Sequence, residues 1–297
     1  MASATSEWTT RRILDWTNGY LKEHGSESPR LEAELLLAHA CGWPRIQLYT
    51  RFDEVVAEDV RARMRDLVKR RGNAEPVAYL IGYREFFSLK FEVGPGVFIP
   101  RPETETLVIE ALAALKTTAT ETDAGRSQRV LDLCAGSGCI GISVAVNAPG
   151  VQVVAIEQSP AAIDFTRRNA SRHKVEDRVD IREGDLFSEV AGDEIFDVIA
   201  SNPPYVTKAE IEGLQEDVRK FEPHAALDGG EDGLDVVRRI AERAPSHLAA
   251  GGFLMMEISP EQADATLSIF QKAGFESLVS LKDLSGVVRV IRGRRGS

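Results

Sequence analysis

Residues 129–141, RVLDLCAGSGCIG, decide how the second half of this 297-residue chain folds. An apolar, β-rich run at 130–133 ends in a glycine-rich turn, and a helical pattern follows at once. Glycines there let the backbone turn tightly and let a ligand approach the amides at the start of the helix. Working outward, further apolar β-rich runs occur at 151–156, 179–181, 195–200, 253–258, 276–280 and 287–291, and helical segments such as 159–173 and 234–248 lie between most of them. Alternation of this kind predicts an α/β, Rossmann-like domain in which a seven-stranded, mostly parallel sheet carries helices on both faces. Ligands of such sheets bind outside the carboxyl ends of the strands, near the switch point, so the residues just after each strand are the candidates for chemistry.

The first quarter of the chain reads differently. From about residue 6 to 71 the periodicity is helical and strand-like alternation is lacking. Trp8, Leu14, Trp16 and Leu21 approximate one apolar stripe. A second helix opens at Ser28-Pro29, where serine can cap and proline suits the first turn, and carries Leu31, Leu35, Leu36 and Leu37 as far as Gly42. A third spans about 57–71 with Val60, Met64, Leu67 and Val68 inward. The stretch 76–102, PVAYLIGYREFFSLKFEVGPGVFIPRP, is aromatic and β-branched, and Gly82, Gly94, Pro95, Gly96 and Pro100 punctuate it, which suits a β-hairpin linker. A helix is expected over 103–116 and a polar surface loop over 117–127. The expected organisation is a small helical-bundle domain at 1–75, a hairpin linker at 76–102 and a ligand-binding domain at 103–297.

Composition narrows the function. No apolar run approaches the roughly 18–20 residues of a membrane span, and the start, MASATSEWTTRR, lacks the apolar core of a secretory signal. Cys41, Cys134 and Cys139 form no CxxC pair and have no histidine at ligand spacing, so neither a disulfide framework nor a metal site is expected, and a reducing cytoplasm fits. A formal net charge of -10 opposes broad affinity for a phosphate backbone.

Four segments follow strand ends. Gly136, Gly138 and Gly141 in the first satisfy GxGxxG, which by itself does not separate a nicotinamide dinucleotide from S-adenosyl-L-methionine. Glu157 closes the second strand about twenty residues on, where a carboxylate accepts hydrogen bonds from ribose hydroxyls in either cofactor class. After the third strand, Asp185 can accept from an adenine amine while Leu186 or Phe187 flanks the ring, although both apolar residues suit the core equally well. After the fourth comes Asn202-Pro203-Pro204-Tyr205. Two prolines remove two backbone donors and stiffen the chain, leaving carbonyl oxygens free. The Asn202 side-chain oxygen and the Pro203 carbonyl can then accept both N–H bonds of a planar NH2 group, with Tyr205 as a stacking face. Held this way, an amide nitrogen turns its lone pair toward an incoming methyl. Hydride transfer has no use for such a loop, which favours methyl transfer.

With Asn202 to Tyr205, several other stretches resemble the peptide chain release factor N5-glutamine methyltransferases, the PrmC/HemK family, nearly end to end. They are Pro76-Val77-Ala78-Tyr79-Leu80 with Gly82, Arg84-Glu85-Phe86, Ile99-Pro100-Arg101-Pro102-Glu103-Thr104-Glu105, Asp217-Val218-Arg219, Phe221-Glu222-Pro223 and the closing segment 283–289. The resemblance implies a class I methyltransferase domain that uses S-adenosyl-L-methionine and acts on the glutamine of the Gly-Gly-Gln loop in class 1 release factors. It implies that Cys134, Ala135, Gly136, Ser137 and Gly138 line the cofactor with Glu157, Asp185, Leu186 and Asn202, and that Asn202, Pro203, Pro204 and Tyr205 hold the glutamine. It further implies that the helical domain docks the release factor. The chain departs from the family where Cys134-Ala135 replaces the usual Gly-Thr, and where Leu186 stands at a position that is tryptophan in some members. A cytoplasmic monomer with a protein substrate and no membrane or direct nucleic-acid partner is expected. The alternative is an N6-adenine or N2-guanine nucleic-acid methyltransferase that uses the same four-residue motif on a flipped base.

Overall fold

The computed structural model describes residues 7–119 and 127–296, so positions 120–126 of the expected surface loop lie outside the described residues. Two compact units divide the chain: Met1–Tyr83 with Glu216–Phe221, and Arg84–Gln215 with Glu222–Ser297.

The first unit is helical. Helix α1 (Thr10–Glu23) is opened by Thr9, whose side chain accepts from the Arg12 amide at 3.4 Å. Ile13, Leu14, Thr17 and Leu21 face inward. Trp16, expected on that stripe, is 52% exposed instead; two residues from Leu14 is about 200° around a helix, which turns it outward. Helix α2 (Pro29–Cys41) ends on Gly42 in the left-handed conformation, but Ser28 makes no side-chain cap bond. Leu36 and Leu37 are fully buried, whereas Leu31 is 42% exposed. Two further helices, α3 (Ile46–Thr50) and α4 (Glu58–Gly72), complete the packing, with Met64, Leu67 and Val68 in the core. The stretch expected to begin the hairpin is corrected here: its first residues form a helical turn, α5 (Val77–Ile81), set between Pro76 and a left-handed Gly82. Leu80 and Ile81 join the same core, and that burial overrides the local β preference. A short helix from later in the chain, α10 (Glu216–Phe221), belongs to this unit, where Arg71 bridges Glu32 at 2.8 Å and Asp217 at 3.6 Å.

In the second unit the hairpin is shorter than expected. Strand β1 (Tyr83–Phe86) begins at the unit's edge and pairs with β2 (Leu89–Glu92). Phe87 and Ser88 between them both have positive φ, the backbone that a two-residue turn requires. Phe86 and Phe91 are fully buried.

Helix α6 (Glu105–Ala119) extends into the segment expected as a loop. The large sheet then builds from β3 (Arg129–Leu133), β4 (Gln152–Glu157), β5 (Val179–Glu183), β6 (Phe196–Ser201), β7 (Leu248–Glu257), β8 (Phe275–Lys282) and β9 (Val288–Arg295). Its order is β5-β4-β3-β6-β7-β9-β8, with the first five strands parallel and β9 antiparallel to both its neighbours. Because successive side chains point to opposite faces, β3 sends Val130 into one core and Leu131 and Leu133 into the other. Helices α7 (Cys139–Asn147) and α8 (Pro160–Arg172) follow β3 and β4. The long connection from β6 to β7 carries α9 (Lys208–Ile211) and α11 (Asp235–His247), and α12 (Ala263–Lys272) precedes β8. Among the described residues no helix is long and apolar enough to cross a membrane.

The strand order reverses between β3 and β6, whose carboxyl ends lie in register: Leu133 is opposite Ser201 on one side and Ile156 of β4 on the other. That edge is the switch point, where the topology leaves a crevice.

Candidate active site

A cavity of about 540 Å³ opens at this edge. Cys134, Ala135, Gly136, Ser137, Glu157, Asp185 and Leu186 line it, as do Asn202, Pro203, Pro204 and Tyr205. Gly138 does not. Its place is in the packing behind the turn: at φ 77°, a Cβ there would sit 2.7 Å from the side chains of Ile142 and Thr166. Phe187 is also absent from the cavity and stacks on His247 at 5.2 Å, which is the core reading of that residue.

Two non-glycine residues at the cavity wall hold left-handed backbone, Cys134 at φ 59° and Leu186 at φ 53°. Such a conformation costs an L-residue about 1–2 kcal/mol. A glycine would adopt the Cys134 conformation without that cost, so the cysteine that stands where the resemblance implies glycine carries a backbone penalty at this turn.

Asp132, the last inward residue but one of β3, is wholly buried, and one of its carboxyl oxygens accepts the Gly141 amide at 2.8 Å. The other oxygen has no partner among the described residues. Burial pushes its pKa up to about 7. Glu157 accepts the Gly136 amide through one oxygen and the Ser159 amide through the other, both at 2.8 Å. The carboxylate is thereby fixed at the cavity rim, and each oxygen retains further acceptor capacity. Asp185 is paired with Arg239, another residue of the cavity wall.

The fourth strand's end is built more elaborately. Ser201 donates to the Leu133 carbonyl at 2.8 Å, fastening β6 to β3. Asn202 donates through Nδ2 to the Thr104 hydroxyl at 3.2 Å. Among the described residues neither the Asn202 Oδ1 nor the Pro203 carbonyl accepts a hydrogen bond. Tyr205 donates its hydroxyl to Glu257 at 3.3 Å, and its carbonyl accepts from the Gln262 side chain at 2.8 Å. Burial, then the nearby Glu257, raise the Tyr205 phenol above its ordinary range, so it stays a neutral hydroxyl. Gly229 backs the loop so closely that a Cβ would lie 2.8 Å from both the Pro204 carbonyl oxygen and the Tyr205 Cα.

Sequence reasoning singled out the four-residue motif but missed these supports. Thr104 lies within the stretch Ile99 to Glu105 with no chemical signal of its own, and Gln262 and Gly229 have no local signature. Glu257 did leave a signal: it is a carboxylate ending the apolar run FLMME at a strand's carboxyl end. Among the described residues no group of three or more His, Cys, Asp or Glu is placed to hold a metal.

Comparison with known proteins places this geometry. The PrmC N-terminal domain family matches residues 12–82, and the methyltransferase small domain family matches residues 107–218. The release factor glutamine methyltransferase of Geobacter sulfurreducens is 47% identical over 97% of this chain and 98% of its own length. That of Rhodopirellula baltica is 43% identical over 97% of both. Among solved structures, the N-terminal domain of human METTL16 in complex with SAH is 16% identical, with a TM-score of 0.50 over 71% of this chain and 77% of that one, a likeness of fold. Identity of this extent, across almost the whole of both chains, means that the protein belongs to the release factor glutamine methyltransferase family.

Proposed function

We propose that this protein transfers a methyl group from S-adenosyl-L-methionine to the side-chain amide nitrogen of the glutamine in the Gly-Gly-Gln motif of class 1 peptide chain release factors. The observation that carries the reading is the pair of unengaged acceptors, Asn202 Oδ1 and the Pro203 carbonyl, on the wall of the cavity that the glycine-rich turn and Glu157 also line.

The residues at the turn fit an adenosine-bearing methyl donor. The cavity volume falls within the range of small-molecule sites. Glu157 offers fixed acceptor oxygens for ribose hydroxyls, and at Gly136 a Cβ would meet no side chain within 4 Å, so the backbone is open to close approach. Asp185, Leu186 and the turn residues Cys134, Ala135 and Ser137 would complete the walls. When bound, the donor supplies an electrophilic methyl on a sulfonium.

The chain's own residues do the rest. Asn202 Oδ1 and the Pro203 carbonyl accept the two N–H bonds of the glutamine amide, Pro203 and Pro204 keep those acceptors from relaxing, and Tyr205 presents its ring as a flat wall. Acceptors fixed in advance stabilise positive charge as it grows on nitrogen. Because the N-methylated amide sheds a proton readily, no ionised base is needed beside the nitrogen.

The helical unit supports a docking role for the release factor. Trp16, Ile46, Tyr49 and Val55 on it are exposed, at 52%, 69%, 46% and 53%. Exposed aromatic and aliphatic side chains such as these are residue types that protein–protein contacts use. A cytoplasmic monomer completes the reading. Incubation with labelled methyl donor and a purified class 1 release factor tests it: label on the motif glutamine supports the assignment, and label that persists after that glutamine is replaced refutes it.

A further inference from the structure

Residues 93–101, which follow β2, form neither helix nor strand, yet Gly96, Phe98 and Pro100 of this segment line the cavity. A segment with no ladder of its own must be held by bonds from elsewhere. Its near end is tied to the glycine-rich turn. The buried Asn169 of α8 accepts the Glu92 amide at 2.6 Å, and it donates to the Glu92 carbonyl at 3.1 Å and to the Ser137 carbonyl at 2.9 Å. Further along, a Cβ at Gly96 would lie 3.0 Å from the Ala161 side chain, so the segment runs hard against α8.

The far end is tied by Glu222. This buried carboxylate accepts the Ile99 amide through Oε2 at 3.0 Å and the Arg101 guanidinium through Oε1. It thereby brackets Pro100, which has no N–H of its own to bond. The Arg101 guanidinium also lies over the ring of Phe98, 4.7 Å from its centroid. Glu222 opens a stretch in which Pro223, Ala225, Ala226, Leu227 and Asp228 line the same cavity. That stretch is bonded in turn to the residue after the substrate loop: the Val206 amide donates to the Leu227 carbonyl and the Gly229 amide to the Val206 carbonyl, each at 2.9 Å. Residues 93–101 are therefore a strap between the glycine-rich turn and the surroundings of Asn202 to Tyr205, and Glu222 is the bond at its far end.

A buried ion pair adds little to stability, because desolvation offsets most of the attraction. We propose that Glu222 is a positioning residue: by gripping Ile99 and Arg101 it fixes where the wall of Phe98 and Pro100 stands relative to the acceptor pair, and so confines the glutamine amide in line with the methyl donor. The inference rests on the amide-holding reading of Asn202 and deepens it.

Glu222→Gln keeps an acceptor for Ile99 but turns an NH2 group toward Arg101, so the charged bond is lost. In single-turnover methylation of full-length release factor this variant should lower the rate about tenfold or more, since a misplacement of about 1 Å can cost on the order of a hundredfold. The steady-state KM for release factor and the Kd for S-adenosylhomocysteine should stay within about threefold, because the near end of the strap, tied by Asn169, is untouched. Arg101→Met should lose rate as Glu222→Gln does and, by leaving a carboxylate buried without its cation, should also lower Tm. Combining the two substitutions removes both charges and should bring Tm back toward wild type while the rate stays low. A rate that recovers with Tm would mean that the pair serves folding alone, and overturns the proposal. The double variant has no unpaired charge, so it keeps the test available if a single variant fails to fold. A Glu222→Gln rate within about threefold of wild type, beside a severely impaired Asn202→Ala, overturns the positioning proposal and leaves the amide-holding reading standing. A harmless Asn202→Ala overturns both.

Discussion

Asn202→Ala separates the chemistry at this site from its architecture. In the folded protein the Asn202 side chain makes one neutral, partly buried hydrogen bond, to Thr104 at 3.2 Å. Its loss should cost about 0.5–1.5 kcal/mol of stability. On the amide-holding reading, turnover depends on the other end of the amide, where Oδ1 accepts no hydrogen bond among the described residues. Removing one preorganised polar contact to developing charge costs about 2.7–4 kcal/mol, or a hundred- to thousandfold in rate. The glycine-rich turn and Glu157, bonded to one another at 2.8 Å, do not involve Asn202, so cofactor affinity should change by less than about threefold. Single-turnover methylation with enzyme in excess measures the first effect, and calorimetric titration of S-adenosylhomocysteine measures the second. A variant that folds, binds the cofactor product and methylates within threefold of wild type would refute the amide-holding mechanism.

Four other outcomes follow from the same geometry. Glu157→Ala removes a charged acceptor from the cavity rim and should weaken S-adenosylhomocysteine by about tenfold or more in calorimetry, hydrogen bonds to charge being worth about 1.5–3 kcal/mol. Gly229→Ala forces a Cβ against the Pro204 and Tyr205 backbone; it should cost about 1–3 kcal/mol in denaturant unfolding and slow turnover without weakening the cofactor. For Asp132, whose folded pKa is held up to about 7 by burial, the unfolded chain loses its proton near pH 4. Between about pH 4 and 7 the folded state keeps a proton that the unfolded state has lost, so this group's contribution falls as pH rises through that window. Asp132→Asn, which still accepts from Gly141, should show a smaller drop in Tm between pH 5 and pH 7.5 than wild type; an unchanged drop would rule out this origin. Trp16→Ala combined with Ile46→Ala should raise the KM for release factor about tenfold or more while leaving Tm and cofactor affinity near wild type, as for hot-spot residues at an interface.

Much of this was legible in the residues because the relevant signals are local. Glycines after an apolar run, an acidic residue at the next strand end and an Asn-Pro-Pro-aromatic loop each declare their backbone or chemistry within a few positions. Strand and helix alternation likewise announces the doubly wound sheet. The insertion of β9 between β7 and β8, antiparallel to both, is not local, and nothing within 287–291 encodes which neighbour it takes. Helix α5 was hidden for a related reason: the pattern at 77–81 is equally apolar for strand or helix, and burial of Leu80 and Ile81 decided it. Trp16 has the apolar character of the α1 stripe, but its angle around the helix, about 200° from Leu14, takes it out of the core. The supports of the active loop were the least visible, since Thr104, Gly229, Glu257 and Gln262 reach Asn202 to Tyr205 only once the sheet is assembled.

The central claim is that an acceptor pair at Asn202 and Pro203 grips a glutamine amide beside a methyl donor. It is tested most directly by locating the transferred methyl by mass spectrometry after reaction of purified protein, labelled S-adenosyl-L-methionine and full-length class 1 release factor. The account predicts one methyl on the side-chain nitrogen of the Gly-Gly-Gln glutamine and none on a factor whose glutamine is replaced by alanine. A methyl on any other atom of the factor, or transfer to RNA or DNA in preference to it, would contradict the account.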